Sequence, residues 1–279
     1  MRIKLFTALA ILASAAPQAV ESQVLPAGAA LTYADLADLA AAAPVAAHLR
    51  VARAERLGAE LAPNVPAGHR RFLVEADVVA LIRGDGGLPA RVSYIVDLAN
   101  DSRGRPAQLR RRAELLVLAH RVPNRPAELR LAAPDAQLPY TPETAERLRA
   151  ILRDSSGRDA PPRITGIGRA FHVAGSLPGE SETQIFLQTA DDRPISLTVL
   201  RRPGERASWA VALSEIVDAA AEPPARDTFL WYRLACTLPA RLPPDALREM
   251  SAEEARAVQA DYRVVAEGLG PCARTRTRR

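Results

Sequence analysis

Between residues 32 and 270 the spacing of apolar positions along the chain switches repeatedly between a helical period and a period of two. In "TYADLADLAAAAP", Leu36, Leu39 and Ala40 share a helical face behind Thr32, which can cap the first turn, and Pro44 ends the run. Beyond Pro44 the residues alternate. Val45, Ala47, Leu49 and Val51 of "VAAHLRVARAERL" fall on one side and His48 and Arg50 on the other, as in a strand with one wet face. "RRFLVEADVVALIRG" alternates too, through Phe72, Val74, Ala76 and Val78, and "GDGG" supplies a turn into "LPARVSYIVDLA". A polar loop, "NDSRGRPAQ", precedes "AELLVLAHRV" and "AELRLAAPD", which "PNRP" joins as a hairpin. Five strands so closely spaced, with turn residues between them, predict a small antiparallel barrel or sandwich.

"TPETAERLRAILRD" restores the helical period, with Thr141 as cap and Leu148, Ile151 and Leu152 on one face. The loop "SSGRDAPP" is the expected boundary between a β-barrel domain with flanking helices (32–155) and a second unit (163–272). That unit opens with four strand candidates, "ITGIGRAFHVAG", "ETQIFLQTA", "PISLTVLRR" and "ASWAVALSEIV", separated by hairpin linkers. Two helices follow: "DTFLWYRLACTLP", with Asp227 as its expected cap, and "SAEEARAVQADYRVVAEGLG". Ser251 and Glu254 form a capping box for the latter, and Gly268 is its expected stop. The predicted fold is α+β, an N-terminal antiparallel OB-like barrel followed by a four-stranded antiparallel meander packed by C-terminal helices.

The long curved first strand, the turn "GGLP" and the strand "LLVLAHRV" resemble the barrel of netrin and metalloprotease-inhibitor modules over residues 45–133. The chain lacks the cysteines of those modules, so the resemblance implies the OB-like fold and not inhibition. Across nearly the full chain, "YADLADLAAAAP", "ADVVALIRG", "APDAQLP", "PGESETQIF" and "WYRLAC" resemble a family of exported hypothetical proteins of alphaproteobacteria. That resemblance implies export and no particular activity.

Export is also legible in the first 19 residues, where Arg2 and Lys4 precede an apolar run and then Ala13-Ser14-Ala15, the pattern of a secretory signal. The run is shorter than the roughly 20 residues that span a bilayer, so the mature chain is expected in the periplasm or outside the cell. In such a compartment Cys236 and Cys272, with no third cysteine, are expected to pair as a structural disulfide. The formal charge of +5 gives an impression of basicity that its distribution removes. Of 37 Lys and Arg, two lie in the leader and four in the final "ARTRTRR", leaving a near-neutral body against 32 acids. A nucleic-acid partner is therefore not expected. The end (273–279) reads as a basic disordered tail, whose Arg274, Arg276, Arg278 and Arg279 could touch an anionic envelope surface.

Candidate chemistry is sparse. In "GESET" Ser181 follows Gly179 as in a nucleophile elbow, but position 183 is Thr rather than Gly, and a strand follows where the elbow needs a helix. Ser181 with His172 and Glu180 is the least implausible catalytic trio, and Ser181 is expected instead to brace the Pro178-Gly179 turn. His48, His69, His120 and His172 are singletons without ligand spacing, so no metal site is expected. Asp191-Asp192 and Glu253-Glu254 fall in a turn and a first helical turn, and no loop has phosphate-cradling spacing, so no cofactor is expected. Phe229, Trp231 and Tyr232 are expected to fill core. The function expected is that of a non-enzymatic envelope protein that binds or scaffolds an unidentified protein. The alternatives are an OB-like inhibitor or small-ligand module working through residues 64–70 or 99–112, and a hydrolase with a dispersed site.

Overall fold

The computed structural model describes residues 31–101, 103–105, 108–213 and 221–276, so the leader, Arg278, Arg279 and the end of "ASWAVALSEIV" lie outside the described residues. The described residues form one compact unit. Helix α1 (Tyr33–Ala42) precedes β1 (Val45–Arg56), which pairs antiparallel with both β2 (His69–Arg83) and β4 (Glu114–Val122). β3 (Arg91–Ala99) follows β2, runs parallel to β5 (Arg125–Leu131), and β5 returns to β4. The barrel thus closes in the order β1-β2-β3-β5-β4-β1, the OB-like arrangement. Three register shifts in the β1–β2 pairing bend β1 enough to serve two neighbours. A short strand that the sequence pattern does not announce, β6 (Gln137–Pro139), adds to β4 at residues 115–117.

β4 explains its own composition. Leu115, Val117 and Ala119 face the barrel interior, while Leu116 and Leu118, fully buried, face the other way toward the helices. A strand buried on both faces reads as a continuous apolar run, as "LLVLA" does. Each such leucine contributes roughly 1.5–3 kcal/mol by leaving water. Inside the barrel, Leu49, Val51, Val74, Val92, Val117 and Leu129 belong to one buried cluster, so side chains fill the interior.

The second sheet is a meander of β7 (Ile164–Ala174), β8 (Ser181–Thr189), β9 (Ile195–Arg201) and β10 (Ser208–Ala212). Its inner face, with Ile167, Ile185, Leu197 and Val199, shares one core with α1, α2 (Pro142–Asp154), α3 (Phe229–Ala235) and α4 (Ala252–Leu269). The core runs straight across the "SSGRDAPP" loop, since Ile151 before it and Ile164 after it are in the same cluster. Phe229, Trp231 and Tyr232 are buried there, and Trp231 Nε1 donates to the Leu269 carbonyl at 2.8 Å.

Three local expectations are corrected. Thr228, not Asp227, caps α3 by accepting the Trp231 N–H, while Asp227 occupies the left-handed region at φ 58°. α4 runs past Gly268 to cap at Gly270. Gly268 is small for another reason: a Cβ there would lie 2.3 Å from Trp209 Nε1. The third correction concerns the C-terminus. Arg274 pairs with Asp38 at 2.7 Å, Arg276 grips Asp135 with two bonds of 2.6 Å, and Thr275 binds Asp35 through its backbone N–H and its hydroxyl. Acids of α1 and of the loop before β6 thereby capture residues that composition alone assigns to a free tail. Just upstream, Cys236 and Cys272 are joined at 2.07 Å, tying the end of α3 to the segment after α4.

Candidate functional site

β7, β8 and α4 bring one hydroxyl, one imidazole and one carboxylate together. His172 and Thr183 are cross-strand partners, and Asp261 reaches down from α4 onto the same inner face. Arg201 Nε donates to Asp261 Oδ1 at 2.6 Å. Beside that guanidinium the carboxylate only accepts, so the Thr183 hydroxyl donates to Asp261 Oδ2 at 2.5 Å. The Thr183 oxygen is then left to accept from the Nδ1–H of His172 at 2.8 Å. The relay is complete and points inward. Thr183 is 0% exposed and Asp261 1%, so a substrate carbonyl has no approach to the hydroxyl oxygen. What the arrangement does is tie α4 to the sheet: a buried acid, satisfied by two strands, fixes the helix at one position.

This network was hidden from sequence, since its members are 11 and 78 residues apart and belong to no spacing motif. The trio weighed from sequence is arranged differently. Ser181 opens β8 between Ala174 and Arg201, and the His172 Nδ1 bond goes to Thr183 instead. Glu180, not Ser181, braces the turn: its carboxylate accepts the Leu177 N–H and its carbonyl accepts the Gly175 N–H. The remaining histidines are scattered. His48 stacks on Tyr140 with centroids 3.8 Å apart and bonds Glu114, His69 bonds the Ala67 carbonyl, and His120 lies opposite Arg130 on the neighbouring strand β5. Among the described residues, no group of three or more His, Cys, Asp or Glu gathers to hold a metal ion.

The outer face of the second sheet has a different character. Alternation on β7 turns Phe171 and Val173 away from the core, 47% and 66% exposed, and Leu177 in the following turn is 59% exposed. Phe171 meets Phe186 of β8 edge to face at 5.8 Å, with the Arg169 guanidinium 5.7 Å from its ring centre. Two hollows adjoin at Phe171. The larger, about 930 Å³, is bounded by Arg169, Phe186, Gln188 and Arg193. The second, about 600 Å³, is bounded by Val173, Glu182, Gln184 and Arg202, with Ser181 at its rim. Together they form an open trough with an aromatic floor and polar walls, the composition of a recognition surface. No protein-family model matches the chain, and no curated protein matches it either.

Proposed function

We propose that this chain is a non-enzymatic extracytoplasmic binding protein that holds a partner protein along the outer trough of its second sheet. The observation that carries this reading is the run of half-exposed apolar side chains, Phe171, Val173 and Leu177, beside polar groups able to fix a partner's orientation. Covering the parts of Phe171 and Val173 still exposed would release roughly 1–2 kcal/mol each, about half to two thirds of the value for full burial, enough for a central contact patch. The export pattern of residues 1–19 and the cysteine pair at disulfide distance support an oxidising compartment. No helix of the described residues is long and apolar enough to cross a membrane. The bond of His172 Nδ1 to the buried Thr183 rather than to Ser181 speaks against the hydrolase alternative.

A photo-crosslinking residue placed at Phe171 tests the reading in the native compartment. It should give one discrete protein adduct that a Val173→Ser substitution weakens, while the same residue at Arg130, exposed on β5, gives none. No adduct at position 171, or the same adducts from both positions, refutes the proposal.

A further inference from the structure

The β1–β2 and β3–β4 connections leave the barrel at the same end and are tied together there. Asn100 N donates to the Gly68 carbonyl at 2.7 Å, and Arg112 N to the Val51 carbonyl at 2.8 Å. Arginines crowd this end. Arg56 lies opposite Phe72 on β2, and Arg70 lies two residues before Phe72 on the same strand face, opposite Leu98 at the end of the barrel core. Arg110, Arg111 and Arg112 stand exposed just before β4. The nearby carboxylates are already engaged: Glu55 by Arg53 at 2.7 Å, Asp97 by Arg71 at 2.7 Å, and Asp101 by Arg105 at 2.6 Å. Among the described residues no ion pair holds Arg56, Arg70, Arg110, Arg111 or Arg112, and Glu60 is the untied acid beside them. Arg70 Nε and Asn100 Oδ1 are both buried without a hydrogen-bond partner. In the β1–β2 connection Leu61 is 64% exposed.

We infer that this barrel end docks on an anionic phospholipid surface, with the unpaired arginines facing headgroup phosphates and Leu61 entering the interface. Charge complementarity selects an anionic partner, and the exposed leucine selects one with an apolar interior, since a soluble polyanion gains nothing from it. With Arg274 and Arg276 committed to Asp38 and Asp135, the barrel end offers the surface contact expected of those two arginines. The inference uses residues remote in sequence from Phe171 and Val173, so its failure and that of the trough are separable.

Co-sedimentation of the intact protein with vesicles tests it. Binding is expected to vesicles of equal parts phosphatidylcholine and phosphatidylglycerol and not to phosphatidylcholine alone, and it should fall as salt rises. Replacing Arg110→Ser and Arg111→Ser together should weaken partitioning roughly 25-fold, about five-fold per charge. Leu61→Ser should weaken it several-fold while leaving the salt dependence unchanged. Unfolding curves establish that each variant is folded, and salt titration of the unsubstituted chain provides the readout if one is not. Equal binding to both vesicle types, insensitivity to salt, or undiminished binding by the double variant overturns the inference. So does retention of soluble polyphosphate without vesicle binding, which would assign the surface to a soluble polyanion.

Discussion

Ending the chain at Ala273 removes the docked C-terminal segment and leaves the Cys236–Cys272 bridge in place. Asp35 bears the largest loss. Burial alone would push its carboxyl up, but bonds from the Thr275 hydroxyl and the backbone N–H groups of Thr275, Arg276 and Thr32 outweigh that and bring it from 3.8 to about 2. At ~1.4 kcal/mol per pH unit this lowering corresponds to roughly 2.5 kcal/mol, of which the Thr32 bond within α1 survives truncation. The half-buried Arg274–Asp38 pair adds about 1 kcal/mol, and the Arg276–Asp135 pair less, because Asp135 is more than half exposed. The truncated chain should thus be destabilised by ~3 kcal/mol, which lowers the melting temperature by about 10 °C for a chain of this size. A depressed carboxyl stabilises the fold fully above its unfolded value and loses that contribution as pH falls through its folded one. The gap between the two chains should therefore be largest near neutral pH and shrink as the pH drops from ~4 toward ~2. Thermal unfolding followed by circular dichroism in that range measures both quantities. A gap below about 1 kcal/mol near neutral pH, or one that does not change with acid, would refute the docking argument.

Two further outcomes test the candidate site and the covalent link. Asp261→Ala strands the buried Thr183 hydroxyl and half-exposed Arg201, and should cost ~2–4 kcal/mol in urea unfolding, whereas Ser181→Ala should stay within about 0.5 kcal/mol. Equal effects would remove the distinction drawn between the two residues. Cys236→Ser opens a link across 36 residues and should cost about 4 kcal/mol on the chain-entropy estimate, read from the denaturation midpoint beside the intact protein.

Elements whose signals are local were legible in the sequence. The alternation of Phe72, Val74 and Ala76 places β2, and the capping residues Thr32, Thr141 and Ser251 place three helix starts, because each depends on neighbours within one turn or one pleat. The strand content of the barrel and the antiparallel meander follow from the same short-range periods. At the ends of elements this signal weakens, where Asp227 and Thr228 compete as caps and where Gly268 and Gly270 both suit a stop.

Pairing over long separations is another matter. The parallel contact of β3 with β5, the addition of β6 to β4, the convergence of His172, Thr183 and Asp261, and the capture of Arg274 and Arg276 by Asp38 and Asp135 appear only in the folded chain. Composition counts an arginine as one positive charge wherever it stands. Whether that charge is neutralised inside the molecule or left facing outward depends on which carboxylate the fold brings within about 3 Å, and Coulomb attraction falls off too steeply with distance and water for sequence proximity to stand in for it.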